Sequence, residues 1–524
     1  MDYFTGKLIS IFIVAVLLSC IGAWWTAYRY RVAMQRLMRA LAPTGVRTVA
    51  ALPAVESPLA PVPVALADNR RAALRLTLLL IGLSCLIAIS SGSLWLAVSI
   101  TDEPFSPKRA AVLALMYLWP VIPALGLLWR WSRWRVLGVL ALWSVLCFFI
   151  FLWRSIEPRP LQLLLTLASE IGPGMVVVAI LCMGNATRAV APWLLLPFIG
   201  LVWASQFGID MLALMVERRS SLVMALPSWI GAHMVMLLFA VLPWVLAWWP
   251  LRRLGRALGR AYARKQLSEL MVLFTAVWAI SLLLRALGVA GSTGIAASIL
   301  MFLPLLWIPL VITLSARLRS ERGRPPTLLV LRVFQRDAQV QALFDHVIER
   351  WRLSGNTVMI AGTDLAVRTL DAADLFTFLD GHLADRFIRS PADVAPRMAA
   401  FDLAPDADGR YRVNECYCHD TTWQDALHAL VWRSDVVLMD LRGFQAHNAG
   451  CRYELGALAQ ASGALRVVVL TDGGTDRAAA AQAIGHSPPG RFVWLDASHI
   501  DARKHREVLA SLFSSPSEAP LLHS

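Results

Sequence analysis

Two rhythms of apolar and polar residues divide the chain. As far as residue 324 the apolar residues run together in stretches of about 20, the length of helix that crosses a hydrocarbon core. Nine such spans are predicted, near 8–28, 74–100, 110–129, 136–153, 161–183, 190–216, 222–249, 269–290 and 294–315. The first ends in Trp24-Trp25 and Tyr28-Arg29-Tyr30-Arg31 with no small-residue cleavage site, so it reads as an uncleaved anchor. Between the first two spans, Pro43, Pro53, Pro58, Pro61 and Pro63 among Ala and Val mark a Pro-rich loop over 40–70 that cannot build a core.

After Pro325-Pro326 the apolar runs shorten and alternate with amphipathic stretches of helical period. Strands are predicted over Leu328–Phe334, Thr357–Ala361, Tyr411–Cys418, Asp435–Leu441, Arg466–Thr471 and Phe492–Leu495. Helices are predicted over Ala338–Leu353, Ala372–Phe387, Thr422–Trp432, Gly450–Ala461, Asp476–Ile484 and Ala502–Phe513, with residues 388–410 an irregular insertion. Such alternation predicts a mostly parallel sheet covered on both faces. Right-handed crossovers then give a flavodoxin-like or Rossmann-like layout. The expected organisation is a multi-span α-helical membrane domain over 1–324, a cytosolic α/β domain over 325–515 and a disordered tail over 516–524.

Composition supports the division. Hydrophobic residues make up 57% of the chain and charged residues 16%, too apolar for an ordinary soluble protein. The net charge of +14 resolves into +19 over 1–324 and −5 over 325–524. The basic excess therefore belongs to the membrane half, where loop charge sets topology. The soluble half carries no basic stripe, which argues against nucleic acid as a partner. With the N-terminus outside, the cytoplasmic segments collect 22 of the 30 positive residues of the membrane half. That asymmetry predicts a multi-pass inner-membrane protein of bacterial type with its C-terminal domain in the cytoplasm. Cys20, Cys85, Cys147 and Cys182 lie in apolar runs, and no disulfide framework is implied.

Ionisable residues in or near spans are functional candidates by default, because burying charge in a bilayer is costly. They are Glu170, next to Gly172-Pro173-Gly174, and Asp210, His233 and Arg285. Glu170 is the foremost, as part of an ion or solute pathway; a protonated acid packed between helices is the plainer reading. A regulated channel or transporter is accordingly one of the alternatives, although no paired broken helices in matching halves point to it.

The soluble half lacks a Walker loop, a G-x-G-x-x-G turn, H-E-x-x-H and a G-x-S-x-G elbow. Cys416-Tyr-Cys418-His419 gathers three soft ligands, but the two well-spaced pairs of a structural zinc site are missing, so no metal is expected. More informative is the stretch from Ser434 to Gly456. An apolar strand ends in Asp440, a loop holds Gly443 and Gly450, and Cys451-Arg452-Tyr453-Glu454-Leu455-Gly456 opens a helix. Open α/β sheets bind ligands at the carboxyl edge of their strands. Glu454 is therefore either a first-turn acid that favours the helix dipole, or a carboxylate kept ionised by that dipole beside a nucleotide-sized hollow.

The run Trp423–Gln460 resembles TIR domains, whose helix, strand and loop end in a Trp-Cys-x-x-Glu-Leu motif; here Gly450-Cys451-Arg452-Tyr453-Glu454-Leu455 stands in its place. Val330-Leu-Arg-Val-Phe334-Gln-Arg336-Asp337 is similar to the first strand and loop of that family. Tyr453-Glu454-Leu455-Gly456, with Asp435 opening the strand, also resembles the nucleoside deoxyribosyltransferase superfamily. The resemblance covers about 190 residues. It departs in Gly450, where TIR domains carry Trp, in the absence of a preceding Ser, and in the length of 380–418.

Both families cleave an N-glycosidic bond to ribose, which leaves an oxocarbenium-like centre that a carboxylate can stabilise or attack. The resemblance implies Glu454 as the catalytic carboxylate of an NAD(+) nucleosidase. It implies Phe334, Arg336 and Asp337 as nucleotide contacts, and Asp440, Arg442 and Asn448 as contacts to ribose or phosphate, with NAD or a related nucleotide as substrate rather than cofactor. The plainer alternatives are core packing for Phe334 and a loop-stabilising pair for Asp440 and Arg442. The expected whole is a membrane-anchored signalling protein, assembled as a homo-oligomer in the lipid bilayer. A catalytically silent TIR-like scaffold is the rival reading.

Overall fold

The computed structural model describes residues 3–39, 60–100, 104–154, 160–165, 167–168, 185–319, 323–332, 342–361, 372–419, 421–462, 465–499 and 501–513. Four expected site residues, Glu170, Phe334, Arg336 and Asp337, lie outside them, as does most of the span near 161–183. The chain forms two compact units: 1–29, 78–314 and 370–376 make the first, and 30–77, 315–369 and 377–524 the second.

The first unit is helical. Its helices, some of which continue into the second unit, are α1 (Tyr3–Arg39), α2 (Leu66–Ser99), α3 (Pro107–Tyr117), α4 (Val121–Leu128), α5 (Arg133–Arg154), α6 (Asn185–Glu217), α7 (Ser221–Ile230), α8 (Ala232–Ala263), α9 (Glu269–Thr293), α10 (Ile295–Leu300) and α11 (Trp307–Arg317). Among the described residues six stretches are long and apolar enough to cross a membrane: Ser10–Leu37, Leu66–Ser99, Trp134–Trp153, Val190–Glu217, Ala232–Ala263 and Ala297–Arg317. Counting α3 and α4, which meet at a 41° bend, as one broken span gives seven. These counts are of the described residues, and the predicted span near 161–183 lies mostly outside them. Pro120 interrupts the third predicted span, and Gly231, at φ 82°, separates α7 from α8 within the seventh. Within α9 the stretch Glu269–Leu283 is apolar but shorter than these six among the described residues.

Large apolar side chains such as Trp153, Trp229 and Leu246 are 75–85% exposed, an outer surface suited to a hydrocarbon solvent rather than to water. Inside the unit, Phe274, Val277, Trp278 and Ser281 of α9 are buried at helical spacing. Arg285 continues that stripe. It is buried rather than at a rim, with its guanidinium 3.2 Å from the centre of the Tyr117 ring and one N–H donated to Ser281 Oγ at 3.0 Å. Asp210 is exposed on α6 and accepts from Gln206 Nε2 at 3.0 Å; His233 is exposed near the start of α8.

The second unit is built on a seven-stranded, wholly parallel sheet. Its elements are β1 (Thr327–Arg332), the helical segment α12 (342–351), β2 (Asn356–Ala361), the end of α13 (Ala372–Leu379), which begins in the first unit, β3 (Phe387–Ile388), α14 (Val394–Ala399), β4 (Val413–Cys418), α15 (Trp423–Arg433), β5 (Val436–Asp440), α16 (Ala449–Gln460), β6 (Arg466–Thr471), α17 (Arg477–Ile484), β7 (Phe492–Asp496) and α18 (Ala502–Phe513). The order is β3-β4-β2-β1-β5-β6-β7. Six strands were expected; the seventh, β3, is a two-residue edge strand at the end of the predicted helix over 372–387, which stops at Leu379.

Strand side chains alternate between faces. Leu329, Leu331, Val437, Met439, Val467 and Val469 pack with α14, α15, α16 and α17 in one core. Leu328, Val330, Leu438 and Val468 are buried too, toward the opposite side, where α12 and α18 pack together through Trp351 and Phe513, 4.9 Å between ring centres. The ends of the first two helices join this unit. Tyr30 lies 3.3 Å, hydroxyl to hydroxyl, from Tyr417 on β4, and Asn69 Nδ2 donates to Arg350 O and Ser354 Oγ at 2.7 and 2.8 Å.

Candidate functional site

The strand order places a topological switch at β1. From there the chain runs outward through β2 to one edge and, after β4, returns to β5 on the other side of β1. Ligands of open α/β sheets sit beyond the carboxyl ends of the strands flanking such a point. Here those ends are Arg332 of β1 and Asp440 of β5, paired in register. The loop over 441–448 and helix α16 follow β5 at this edge.

Asp440 and Arg442 shape the loop. Arg442 Nε donates to Asp440 Oδ1 at 2.8 Å and Nη2 to Oδ2 at 2.6 Å, while the Arg442 amide donates to Oδ1 at 3.2 Å. Both residues are at most 5% exposed. The two-pronged fork engages both carboxylate oxygens and ties the loop to the end of β5. Gly443, at φ 72°, allows the turn and donates its amide to Asp472 Oδ1 at 2.9 Å. Asn448 stands at the N-cap position of α16, yet its side chain accepts from the Gln445 amide at 2.8 Å and closes the loop instead. Asp435 lies at the other end of β5. Its carboxylate accepts from the Thr327 amide at 2.8 Å and pairs with Arg324, so it fastens the amino edge of the sheet.

Glu454 is neither a first-turn acid nor an uncovered one. Helix α16 begins at Ala449, which puts Glu454 in the second turn, where the dipole acts more weakly. With Cys451, Leu455 and Leu458 it forms the i, i+3, i+4, i+7 stripe that a helix turns to its core, and it is 6% exposed. Its Oε2 has no hydrogen-bond partner among the described residues. Burial pushes its carboxyl up to about 8, so the side chain is mostly protonated at neutral pH rather than held ionised. Burial, together with the neighbouring Glu454, pushes the Cys451 thiol up to about 12. Next to this stripe, a side chain added at Gly450 would meet nothing within 4 Å. No hydrogen bond or ion pair joins Glu454 to Asp440, Arg442 or Asn448 among the described residues. The strand alternation explains this for Asp440, which lies across the sheet from the face that Met439 shares with α16.

On Asp440's side of the sheet a pair appears that the sequence did not announce. His346 of α12 and His505 of α18 lie 4.6 Å apart, ring centre to ring centre. Burial, His346 and Arg442 together hold His505 at about 4, and its Nε2 has no partner among the described residues. Separated by about 160 positions, the two carry no spacing a sequence reading could use. Cys416 and Cys418 bring their sulfurs to 3.8 Å; among the described residues no group of three or more His, Cys, Asp or Glu is arranged to hold a metal ion.

Fold and composition together define a protein with several helices able to span a membrane and a parallel α/β unit. No protein-family model, curated protein or solved structure matches the chain.

Proposed function

We propose that this is a multi-pass membrane protein whose α/β unit is a TIR-like module that binds a nucleotide at the carboxyl edge between β1 and β5 and cleaves its N-glycosidic bond, with Glu454 as the catalytic carboxylate. Support for a flavodoxin-like core comes from the order β2-β1-β5-β6-β7, to which β3 and β4 add at the β2 edge. The observation that carries the reading is the carboxyl of Glu454, buried on a core stripe with one oxygen unsatisfied. A group like this costs stability and has no structural partner to repay it. Such groups cluster at functional sites.

The chemistry follows from the local electrostatics. A buried carboxyl that is protonated when empty ionises when a positive charge arrives beside it. The pyridinium of NAD is such a charge. After nicotinamide departs, the carboxylate faces the oxocarbenium-like ribose, which it stabilises until water adds. In this reading the closed geometry around Glu454 is the resting state, and ligand entry requires α16 or the neighbouring loops to move.

The decisive experiment incubates the purified full-length protein with NAD and measures nicotinamide release, wild type against Glu454→Ala. Release by the wild type that falls at least a hundredfold in the variant supports the proposal; equal release, or none from either, refutes it. In the second case the silent scaffold, which the covered position of Glu454 and the self-paired Asp440 and Arg442 favour, takes its place.

A further inference from the structure

The unit of spanning helices carries a surface that neither the sheet nor its candidate site uses. Helix α8 runs for 32 residues, or about 48 Å at 1.5 Å per residue, against a hydrocarbon core of about 30 Å. Its apolar part ends at Trp248-Trp249-Pro250, and the helix continues unbroken to Ala263. That extension and the two residues after it hold Arg252, Arg253, Arg256, Arg260, Arg264 and Lys265, while no Asp or Glu occurs anywhere from 218 to 268.

Phase separates the charges from the apolar residues. At about 100° per residue, the five arginines fall within one face of roughly 120°. Leu251, Leu254, Leu258 and Tyr262 fall on the opposite face. The exposures agree: all five arginines are exposed, the three leucines are half-buried and Tyr262 is buried, its ring edge-on to Trp193 at 5.6 Å. None of the five arginines meets a carboxylate among the described residues. Arg253 lies over the Trp249 ring, 3.3 Å from its centre, and Trp rings characteristically settle at headgroup level.

Two simpler accounts fall short. The helix dipole favours cations in the last turn, which covers Arg260 and Arg264 but not Arg252, Arg253 and Arg256, two to three turns earlier. Topological sorting depends on the number of positive residues in a loop, not on their angular placement along a helix. What the arrangement matches is a row of negative charges that begins at the level where the Trp side chains lie and follows the arginine face along the helix. Clusters of this size next to a spanning helix bind anionic headgroups, and arginine forks take phosphate in two-pronged fashion.

We propose that the arginine face of α8, Arg252, Arg253, Arg256, Arg260 and Arg264, is a binding site for the phosphate headgroups of anionic glycerophospholipids in the adjoining leaflet. This inference is independent of the function assigned to Glu454.

The test titrates full-length protein in neutral detergent with phosphatidylglycerol or phosphatidylcholine and counts retained lipids by native mass spectrometry. The wild type retains phosphatidylglycerol preferentially. The combined variant Arg252→Gln, Arg256→Gln, Arg260→Gln loses that preference, with phosphatidylglycerol bound on the order of a hundredfold more weakly. Lysine at the same three positions keeps the charge, and with it most of the preference. Inorganic phosphate at millimolar concentration does not displace the lipid, which separates a headgroup site from a free-phosphate site. Should the glutamine variant fold poorly, salt supplies the second measurement: wild-type preference declines between 50 and 500 mM NaCl. A wild type indifferent to headgroup charge, a preference that survives the three glutamines or high salt, displacement by inorganic phosphate, or tighter binding of a soluble polyanion than of the lipid would each overturn the proposal.

Discussion

Replacing Glu454 by glutamine removes a titration while leaving the shape of the side chain nearly unchanged, and its effect should depend on pH in a calculable way. In the folded chain the carboxyl is held at about 8, against an ordinary value of 4.5. Each unit of difference is worth about 1.4 kcal/mol. A group raised on folding contributes its full stability below its unfolded value and loses it as the pH climbs through the folded one. Between pH 4.5 and 8, therefore, the folded chain holds a proton that the opened chain has released. The cost to the folded state is below about 1 kcal/mol at pH 5, about 3 kcal/mol at pH 7 and about 4 kcal/mol at pH 8. Glutamine does not titrate and escapes that cost.

Amide hydrogen exchange across Ala449–Gln460 in the full-length protein measures the opening of α16 directly. Wild type and Glu454→Gln are compared at the same pH, so that intrinsic exchange rates cancel. The variant should be harder to open, by a margin that grows severalfold from pH 5 to pH 8. A margin constant across this range would show that Glu454 binds the same number of protons in the folded and the opened chain, so that burial does not raise its carboxyl. A variant that opens more readily at pH 8 would show that the carboxylate has a partner, which would remove the argument from the unsatisfied Oε2.

Three further outcomes follow from the same unit. Arg442→Ala strands a buried carboxylate at Asp440 and should cost about 3–5 kcal/mol in denaturant unfolding, whereas replacing both residues by leucine or methionine should restore most of it; a single variant as stable as the wild type would show that the pair is solvated. His505, held at about 4 against an ordinary 6.5, contributes stability that is present above pH 6.5 and lost as the pH falls through 4. The unfolding midpoint should drop over that window, and His505→Gln should flatten the drop. Asp435→Ala, which removes the acceptor of the Thr327 amide and the partner of Arg324, should cost about 1.5–3 kcal/mol. It should leave NAD turnover per folded molecule unchanged, because the residue lies at the amino edge.

Much of this architecture was legible in the hydrophobic pattern, because it depends on periodicity. The buried parallel strands at 328–332, 436–440 and 466–471 read as apolar runs without alternation, as a sheet covered on both faces requires. Broken spans were harder: composition averages over Pro120 and Gly231, and only backbone geometry shows where a helix stops. The two-residue strand β3 lay below what a pattern can register, since two apolar residues fit either element. Around the candidate site, strand ends and loops were placed correctly from Gly and Asp positions. Side-chain partners were not, because Asp440 and Arg442 find each other two residues apart in a loop where no period applies.

Glu454 shows most clearly where such reading stops and why. The spacing Cys451, Glu454, Leu455, Leu458 was in the sequence throughout, and on a helix it assigns the acid to the core face. Counting Glu454 into the first turn obscured that, although the predicted start at Gly450 lies one residue from the observed Ala449. An exposed first-turn acid demands no explanation, while a protonated one on a core stripe does. The structural correction thus removes the open cleft that the residue was expected to line and puts a protonated acid on the core stripe instead. A leucine at 454 would complete the stripe and spare the folded chain the cost of an unsatisfied oxygen. The acid at this position bears a stability cost that packing does not explain, and under the proposed function its ionisation beside a cationic ligand is the use that offsets it.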